Sequence, residues 1–265
     1  MREAPPPCIL AIAGSDSSGG AGIQADIKTV TMLGGYAMTA ITAVTAQNTK
    51  GVTGVELLSA DFVAGQIAAC VSDIGVDAVK IGMLGSPAIA EAALGALEGL
   101  DAPVVFDPVM VATSGAVLAD EATVAGFEAL MRRAALVTPN LPELEVLTGR
   151  DNLSGDAIAD AAASLADRYG VAVLAKGGHE ESDKVRDILI DPDGRAASFT
   201  DPRIDTRHTH GTGCTLSSAI ATLLGHGQPL EHAVRLGRQF VRRALEAAPG
   251  FGEGHGPMGH HAVRG

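Results

Sequence analysis

Cysteine is scarce and scattered: only Cys8, Cys70 and Cys214 occur in 265 residues, with no Cys-x-x-Cys spacing. That count excludes a disulfide framework and a paired-cysteine zinc or redox site, and it suits a reducing, cytoplasmic setting. Runs of Lys or Arg are also missing, and the net charge is -12. Such a chain repels phosphodiester backbones, so nucleic acid is not expected as a partner. The nearest approach to a basic patch, Arg235, Arg238, Arg242 and Arg243, has helical spacing and is expected to be a solvated face or an interface. No apolar stretch nears the ~20 residues that span a bilayer; residues 214–224 fall well short, so no membrane segment is expected. The first seven residues hold an acid and three prolines instead of a basic segment and an apolar run, so no signal peptide is expected. Internal repeats, low-complexity tracts and composition breaks are absent too, so no linker is marked.

What is present is an alternation of elements. Hydrophobic residues make up 46% and charged residues 19%, and a chain of this length buries a core as one globular domain. Residues 8–13 form an apolar run that ends in Gly14-Ser15-Asp16-Ser17-Ser18-Gly19-Gly20, followed by an amphipathic stretch over 22–33: strand, glycine loop, helix. Strands are then expected at 36–46, 51–58 (a short edge strand), 78–83, 104–106, 136–138 and 171–175, with helices at 61–74, 87–97, 121–134 and 156–169. Segments 185–190 and 196–199 flank the turn Asp191-Pro192-Asp193-Gly194 and read as a hairpin; two helices begin near residues 212 and 230. This order predicts an α/β architecture with a mainly parallel sheet, in which ligands sit beyond the carboxyl ends of the strands. Gly14, Gln47, Met83, Asp107, Asn140 and Lys176 each follow a predicted strand.

The richest segment is His208-Thr209-His210-Gly211-Thr212-Gly213-Cys214. Small residues there leave successive backbone N–H groups open just as a helix begins, which is an anion-binding turn suited to a phosphoryl group in transfer. Cys214 falls in the first turn, where a helix end lowers a thiol pKa and can leave it a base near the substrate hydroxyl, or where it can simply pack as a small apolar side chain. Gly20-Ala21-Gly22-Ile23-Gln24-Ala25 matches the dinucleotide fingerprint Gly-x-Gly-x-x-Ala, so an NAD-binding oxidoreductase is a rival reading. The acid that should hold the ribose about 20 residues on is lacking, since that strand ends in Thr45-Ala46-Gln47-Asn48. The Gly-x-x-x-x-Gly-Lys-Ser/Thr phosphate loop is absent as well. Thr138-Pro139-Asn140-Leu141-Pro142-Glu143 offers an amide oxygen and a carboxylate to water-bound magnesium, or simply begins a helix; Asp107 is a second acid for the same purpose. Lys176, before Gly177-Gly178-His179, can reach a phosphate as a point charge or can be an ordinary surface lysine.

Taken in order, Ala13-Gly14-Ser15-Asp16 with residues 19–26, Thr45-Ala46-Gln47-Asn48-Thr49, Lys80-Ile81-Gly82-Met83-Leu84, residues 138–143, residues 176–179 and residues 210–217 resemble the motifs of the ribokinase-like superfamily. Within it they are most similar to the hydroxymethylpyrimidine/phosphomethylpyrimidine kinases of thiamine biosynthesis. The resemblance runs from about residue 9 to 261. It implies a three-layer α/β/α ribokinase-like fold formed by a single domain over 8–261, with flexible ends at 1–7 and 262–265. It also implies ATP and Mg2+, a homodimer, and successive phosphorylation of 4-amino-5-hydroxymethyl-2-methylpyrimidine and its monophosphate. Gly211, Thr212, Gly213, Cys214 and Lys176 are then the catalytic group, with Lys176, Thr212 and Gly213 on ATP and Asp107, Asn140 and Glu143 on the metal. Gln47 becomes the pyrimidine reader, with Gly14, Asp16 and Met83 completing its pocket. A pyridoxine or pyridoxal kinase of the same superfamily is the nearest alternative, and a non-catalytic binding module keeping the fold is a further one. His208 departs from the family's usual asparagine, and the glycine- and histidine-rich tail from residue 250, which resembles the family's own ending, is expected to be partly mobile.

Overall fold

The computed structural model describes residues 5–112, 115–178 and 182–263. Residues 1–4 and 264–265 of the ends expected to be flexible, and His179 of the Lys176 motif, lie outside them. In chain order the elements are β1 (Cys8–Asp16), α1 (Gly22–Met32), β2 (Tyr36–Asn48), β3 (Gly51–Leu57), α2 (Ala60–Asp73), β4 (Ala78–Ile81), α3 (Pro87–Ala96), β5 (Val104–Phe106), α4 (Glu121–Ala125), α5 (Phe127–Arg133), β6 (Leu136–Val137), α6 (Leu141–Thr148), α7 (Asp156–Tyr169), β7 (Ala172–Ala175), β8 (Lys184–Ile190), β9 (Ala196–Pro202), α8 (Thr212–Gly225) and α9 (Leu230–Glu246).

Among the described residues nine strands join one sheet in the order β3-β2-β1-β4-β5-β6-β7-β8-β9. Strands β2, β1, β4, β5, β6 and β7 pair in parallel, whereas β3 pairs antiparallel with β2 on one edge and the hairpin β8–β9 is joined antiparallel through β8 on the other. The parallel part is covered on both faces, which is why β1 reads as an unbroken apolar run. Successive side chains point to opposite faces. Leu10 and Ile12 pack with Val63, Ile89 and Leu165 of α2, α3 and α7, while Ile9 packs with Ile220 and Val234 of α8 and α9. Three layers result, as expected.

The differences from the expected elements have local causes. Strand β1 does not end at residue 13; it continues through a bulge, so that Ser15 and Asp16, expected in a loop, pair with Val44 and Thr45 of β2. Strand β2 in turn runs on to Asn48 because β3 folds back along it, which places Gln47 inside the strand, opposite Val52, and not beyond its end. The expected helix over 121–134 is split at Gly126 into α4 and α5. Glycine resists helix weakly, and the break lets Phe127 bury itself edge-on to Phe106, ring centroids 5.1 Å apart.

Near the two ends of the described residues, the Pro7 carbonyl accepts the Tyr36 N–H at 2.8 Å, and Val263 is buried. The tail from residue 250 is anchored by His260, whose Nε2 lies 2.8 Å from Thr215 Oγ1 of α8. Burial, aided by the Lys28 charge, pushes the His260 imidazole down to about 4 from 6.5. The unfolded chain therefore binds a proton that the folded one refuses between these values. Stability is full above pH 6.5 and falls by up to about 3 kcal/mol as pH drops toward 4. Urea titrations at pH 7 and pH 4.5 should show this loss, and His260→Gln should flatten the pH dependence by a similar amount.

Candidate active site

The parallel strands open into one cavity of about 680 Å³ at their carboxyl ends, a size usual for a small-molecule site. At its centre is the start of α8. Gly211 has φ +86°, and a Cβ there would collide with the Gly20 carbonyl oxygen, so only glycine brings the two loops this close. No side chain caps the helix, and its first N–H groups have no partner four residues back, which leaves the N-terminal end of its dipole facing the cavity. A Cβ on Gly213 would meet Lys176 Nζ at 3.3 Å and Asp107 Oδ2 at 3.4 Å, so the turn lies directly against this charged pair.

Lys176 follows β7 and is no surface lysine. Its Nζ lies 2.6 Å from Asp107 Oδ1 and 3.9 Å from Glu143 Oε2. Burial works against its charge, but the Asp107 and Glu143 carboxylates outweigh it and hold the ammonium pKa above its ordinary value. Asp107, just past β5, also accepts the Thr138 hydroxyl at 2.9 Å. Asn140 and Glu143 form a capping box on α6: each side chain accepts the other's backbone N–H, at 2.9 and 2.8 Å. The amide oxygen of Asn140 serves the helix cap with one of its two lone pairs. Glu143 is pushed up to about 7, chiefly by burial, with Lys176 opposing the rise.

The same cavity is also lined by Gly14, Asp16, Gln47 and Met83. A Cβ on Gly14 would press on Met83 Sδ at 3.0 Å. Asp16, however, has little left for a ligand. Its carboxylate accepts the N–H groups of Ser18, Gly20 and Ala21 at 2.8 to 3.0 Å, the Ser18 hydroxyl, and a 2.8 Å contact from His210 Nε2. Burial alone would raise its pKa, yet these bonds, that from His210 foremost, hold it at about 2. The same bonds occupy the Gly20 and Ala21 amides that a dinucleotide pyrophosphate would need, which counts against the oxidoreductase reading.

Cys214 lines the cavity in the first turn of α8. The expectation of a thiol pKa lowered by the helix end is corrected: burial pushes the thiol above its ordinary value, and Asp26 and Asp107 add to the rise against the opposing charge of Lys80 and the Gly22 N–H on its sulfur. That Lys80 is one of three important groups to which sequence reasoning gave no role. Lys80 on β4 and Asp26 on α1 form an ion pair, both 0% exposed, joined by Ser218 Oγ at 2.7 Å from Asp26. His210 ties the Gly211 turn to Asp16. Arg238, expected on a solvated or interface face, is buried and bonds Asp187 and Asp201 at 2.6 Å each, while Asp187 accepts the Gly177 N–H at 2.6 Å beside Lys176. A lysine inside an apolar strand was a readable sign of a buried pair; its partner, 54 residues away, was not. Among the described residues no helix is long and apolar enough to cross a membrane.

A parallel sheet covered on both faces, with a glycine turn that opens a helix onto a lysine–carboxylate pair, defines the ribokinase-like class of small-molecule kinases. A family model described as phosphomethylpyrimidine kinase matches residues 16–259, and the chain belongs to that family. It is 46% identical to the hydroxymethylpyrimidine/phosphomethylpyrimidine kinase of Rhizobium meliloti, over 95% of this chain and 96% of that one. It is 47% identical over 98% of its length to a thiamine biosynthesis bifunctional protein of Geobacter sulfurreducens. The chain spans 54% of that relative and 36% of another, multifunctional one. A solved pyridoxal kinase of Bacillus subtilis in an ADP complex superposes with a TM-score of 0.89 at 34% identity, over 97% of this chain and 98% of that one.

Proposed function

We propose that the chain transfers phosphoryl groups from ATP to 4-amino-5-hydroxymethyl-2-methylpyrimidine and then to its monophosphate, in thiamine biosynthesis. The observation that carries this reading is the packing of the Gly211–Gly213 turn against Lys176 and Asp107, in the same cavity as Gln47. The loose transition state of phosphoryl transfer spreads charge over the equatorial oxygens, and what a protein supplies is positioning and positive potential. The amides of Gly213 and Cys214 hold that charge, Lys176 steadies the donor phosphates, and Thr212 borders them. Cys214 stands by the attacking hydroxyl and takes its proton, while Gln47, Met83 and Gly14 hold the ring.

The donor set suits magnesium in a limited way. Among the described residues no three acidic, histidine or cysteine side chains gather as a metal cage, but Mg2+ is commonly held by one or two carboxylates through water together with the nucleotide phosphates. Asp107, Asn140 and Glu143 would hold it through water, and the ion would supply neutralisation of the donor phosphates. A homodimer and a cytoplasmic location belong to the same proposal.

A second reading, pyridoxal kinase, is favoured by the likeness to the Bacillus subtilis enzyme. ATP consumption measured with each alcohol separates the two: the aminopyrimidine should be turned over, at a higher kcat/KM than pyridoxal. Gln47→Leu should cost the aminopyrimidine about 1 to 3 kcal/mol in kcat/KM and leave pyridoxal nearly unaffected. No ATP consumption with the aminopyrimidine would end the proposal.

A further inference from the structure

The backbone of Gln47 is clamped: its N–H donates to Ser17 Oγ at 2.9 Å and its carbonyl accepts the same hydroxyl at 2.8 Å. Only the side-chain amide is free to choose an orientation, and its two arms face two neighbours. Oε1 lies 3.2 Å from Thr45 Oγ1, and Nε2 lies 3.4 Å from His210 Nε2. The two ends of an amide are nearly equal in size, so protons and not shape decide which end belongs where.

Those protons are fixed by other bonds. Asp16, held at about 2, is a carboxylate at neutral pH and accepts only, so the proton in its 2.8 Å contact sits on His210 Nε2. Thr45 has one hydroxyl proton, and the Ser15 carbonyl at 3.0 Å is an acceptor only, so the proton is spent there. Towards Gln47, then, His210 presents a protonated nitrogen that cannot accept, and Thr45 a hydroxyl oxygen that can. An amide with its nitrogen toward His210 sets N–H against N–H and leaves its oxygen facing a hydroxyl with nothing to give. A half-turn about the last side-chain bond removes the facing of donor on donor at His210 and gives the amide nitrogen the Thr45 oxygen, at no steric cost, and in a part-buried site opposed donors are costly.

We infer that His210, with its Nε2 proton held by Asp16, locks the Gln47 amide with its oxygen toward the imidazole and its nitrogen toward Thr45. The cavity thereby reads a ring bearing an amino group beside an unprotonated ring nitrogen, and refuses the isosteric ring bearing an oxo group beside an N–H. The first ring presents donor then acceptor, the second acceptor then donor. A freely turning amide would serve both, whereas a locked one serves only one. His210 is thus a positioning residue that sets specificity, and it does so from the loop that carries the anion turn. This inference rests on Gln47 being the residue that faces the pyrimidine.

The test compares kcat/KM for 4-amino-5-hydroxymethyl-2-methylpyrimidine and its 4-oxo analogue in the wild type, His210→Phe and Gln47→Leu. The wild type should prefer the amino ring by about a hundredfold or more. Gln47→Leu should abolish the preference; if it does not, Gln47 is not the reader and the functional assignment of the pocket falls. His210→Phe should narrow the preference about tenfold, chiefly by a gain on the oxo analogue. A preference kept in His210→Phe but lost in Gln47→Leu, or an equal loss on both rings, overturns the lock alone. Independently of any variant, 15N-histidine NMR of the wild type at pH 7.5 should show the Nε2 of His210 protonated, and an unprotonated Nε2 would refute the inference.

Discussion

Cys214→Ala is expected to lower kcat by about two to four powers of ten, the usual worth of a positioned proton acceptor, with nucleotide affinity nearly unchanged. The sulfur lies in the first turn of α8, where the transferring group is held, and the alanine variant keeps the backbone N–H groups that would bind it. The pH profile sharpens the test. Burial holds the thiol above its ordinary value of 9.0, so the thiol form dominates at neutral pH. If the thiolate accepts the hydroxyl proton, the active form grows as pH rises, and kcat should climb about tenfold per pH unit through neutrality and level off only above pH 9. Cys214→Ala should be flat over that range. Turnover equal to wild type, or the same rising limb in the variant, would remove sulfur from the mechanism.

The largest loss of stability is expected from Lys80→Met. Lys80 Nζ bonds both Asp26 oxygens, at 2.8 and 2.9 Å, inside the layer between the sheet and α1 and α8. The Asp26 carboxylate keeps the ammonium pKa above its ordinary value even though burial opposes the charge. Removing one partner strands the other in a medium that solvates it poorly, at a cost of about 3 to 5 kcal/mol. Denaturant melts should show that loss, and Lys80→Met with Asp26→Leu together should recover most of it, since no charge is then stranded. Because the Lys80 charge is also the main influence lowering the Cys214 pKa, any folded Lys80→Met protein should have its rising pH limb displaced to still higher pH. A double variant as unstable as the single would show that packing, not charge, decides this position.

Much of this architecture was legible along the chain because its signals are short-range. The unbroken apolar run at residues 8–13 marks a strand buried on both faces, and Gly211-Thr212-Gly213 followed by an apolar helix marks an open helix end; neither needs a distant partner. Elements failed where pairing reached further than the pattern. Ser15, Asp16 and Gln47 look like loop residues, but their neighbours β2 and β3 extend beyond the core and give them partners. Arg238 has helical spacing with three other arginines, yet it is buried against Asp187 and Asp201, which sit on the hairpin β8–β9, with Arg242 also reaching Asp201 at 4.0 Å. The capping box that Asn140 and Glu143 complete joins residues only three apart and was legible in the sequence as a helix start.

By itself the sequence determined the layered α/β order, the glycine turn and the set of polar residues at the strand ends, because hydrophobic period, turn chemistry and helix starts are written within a few residues of one another. Only the tertiary structure decided which charges meet: Lys176 with Asp107, Lys80 with Asp26, and His210 with Asp16, the last pair 194 residues apart. Such pairs depend on crossovers that bring remote segments to one end of a sheet. Burial there penalises a thiolate enough to move the Cys214 pKa opposite to the direction its helix position implies.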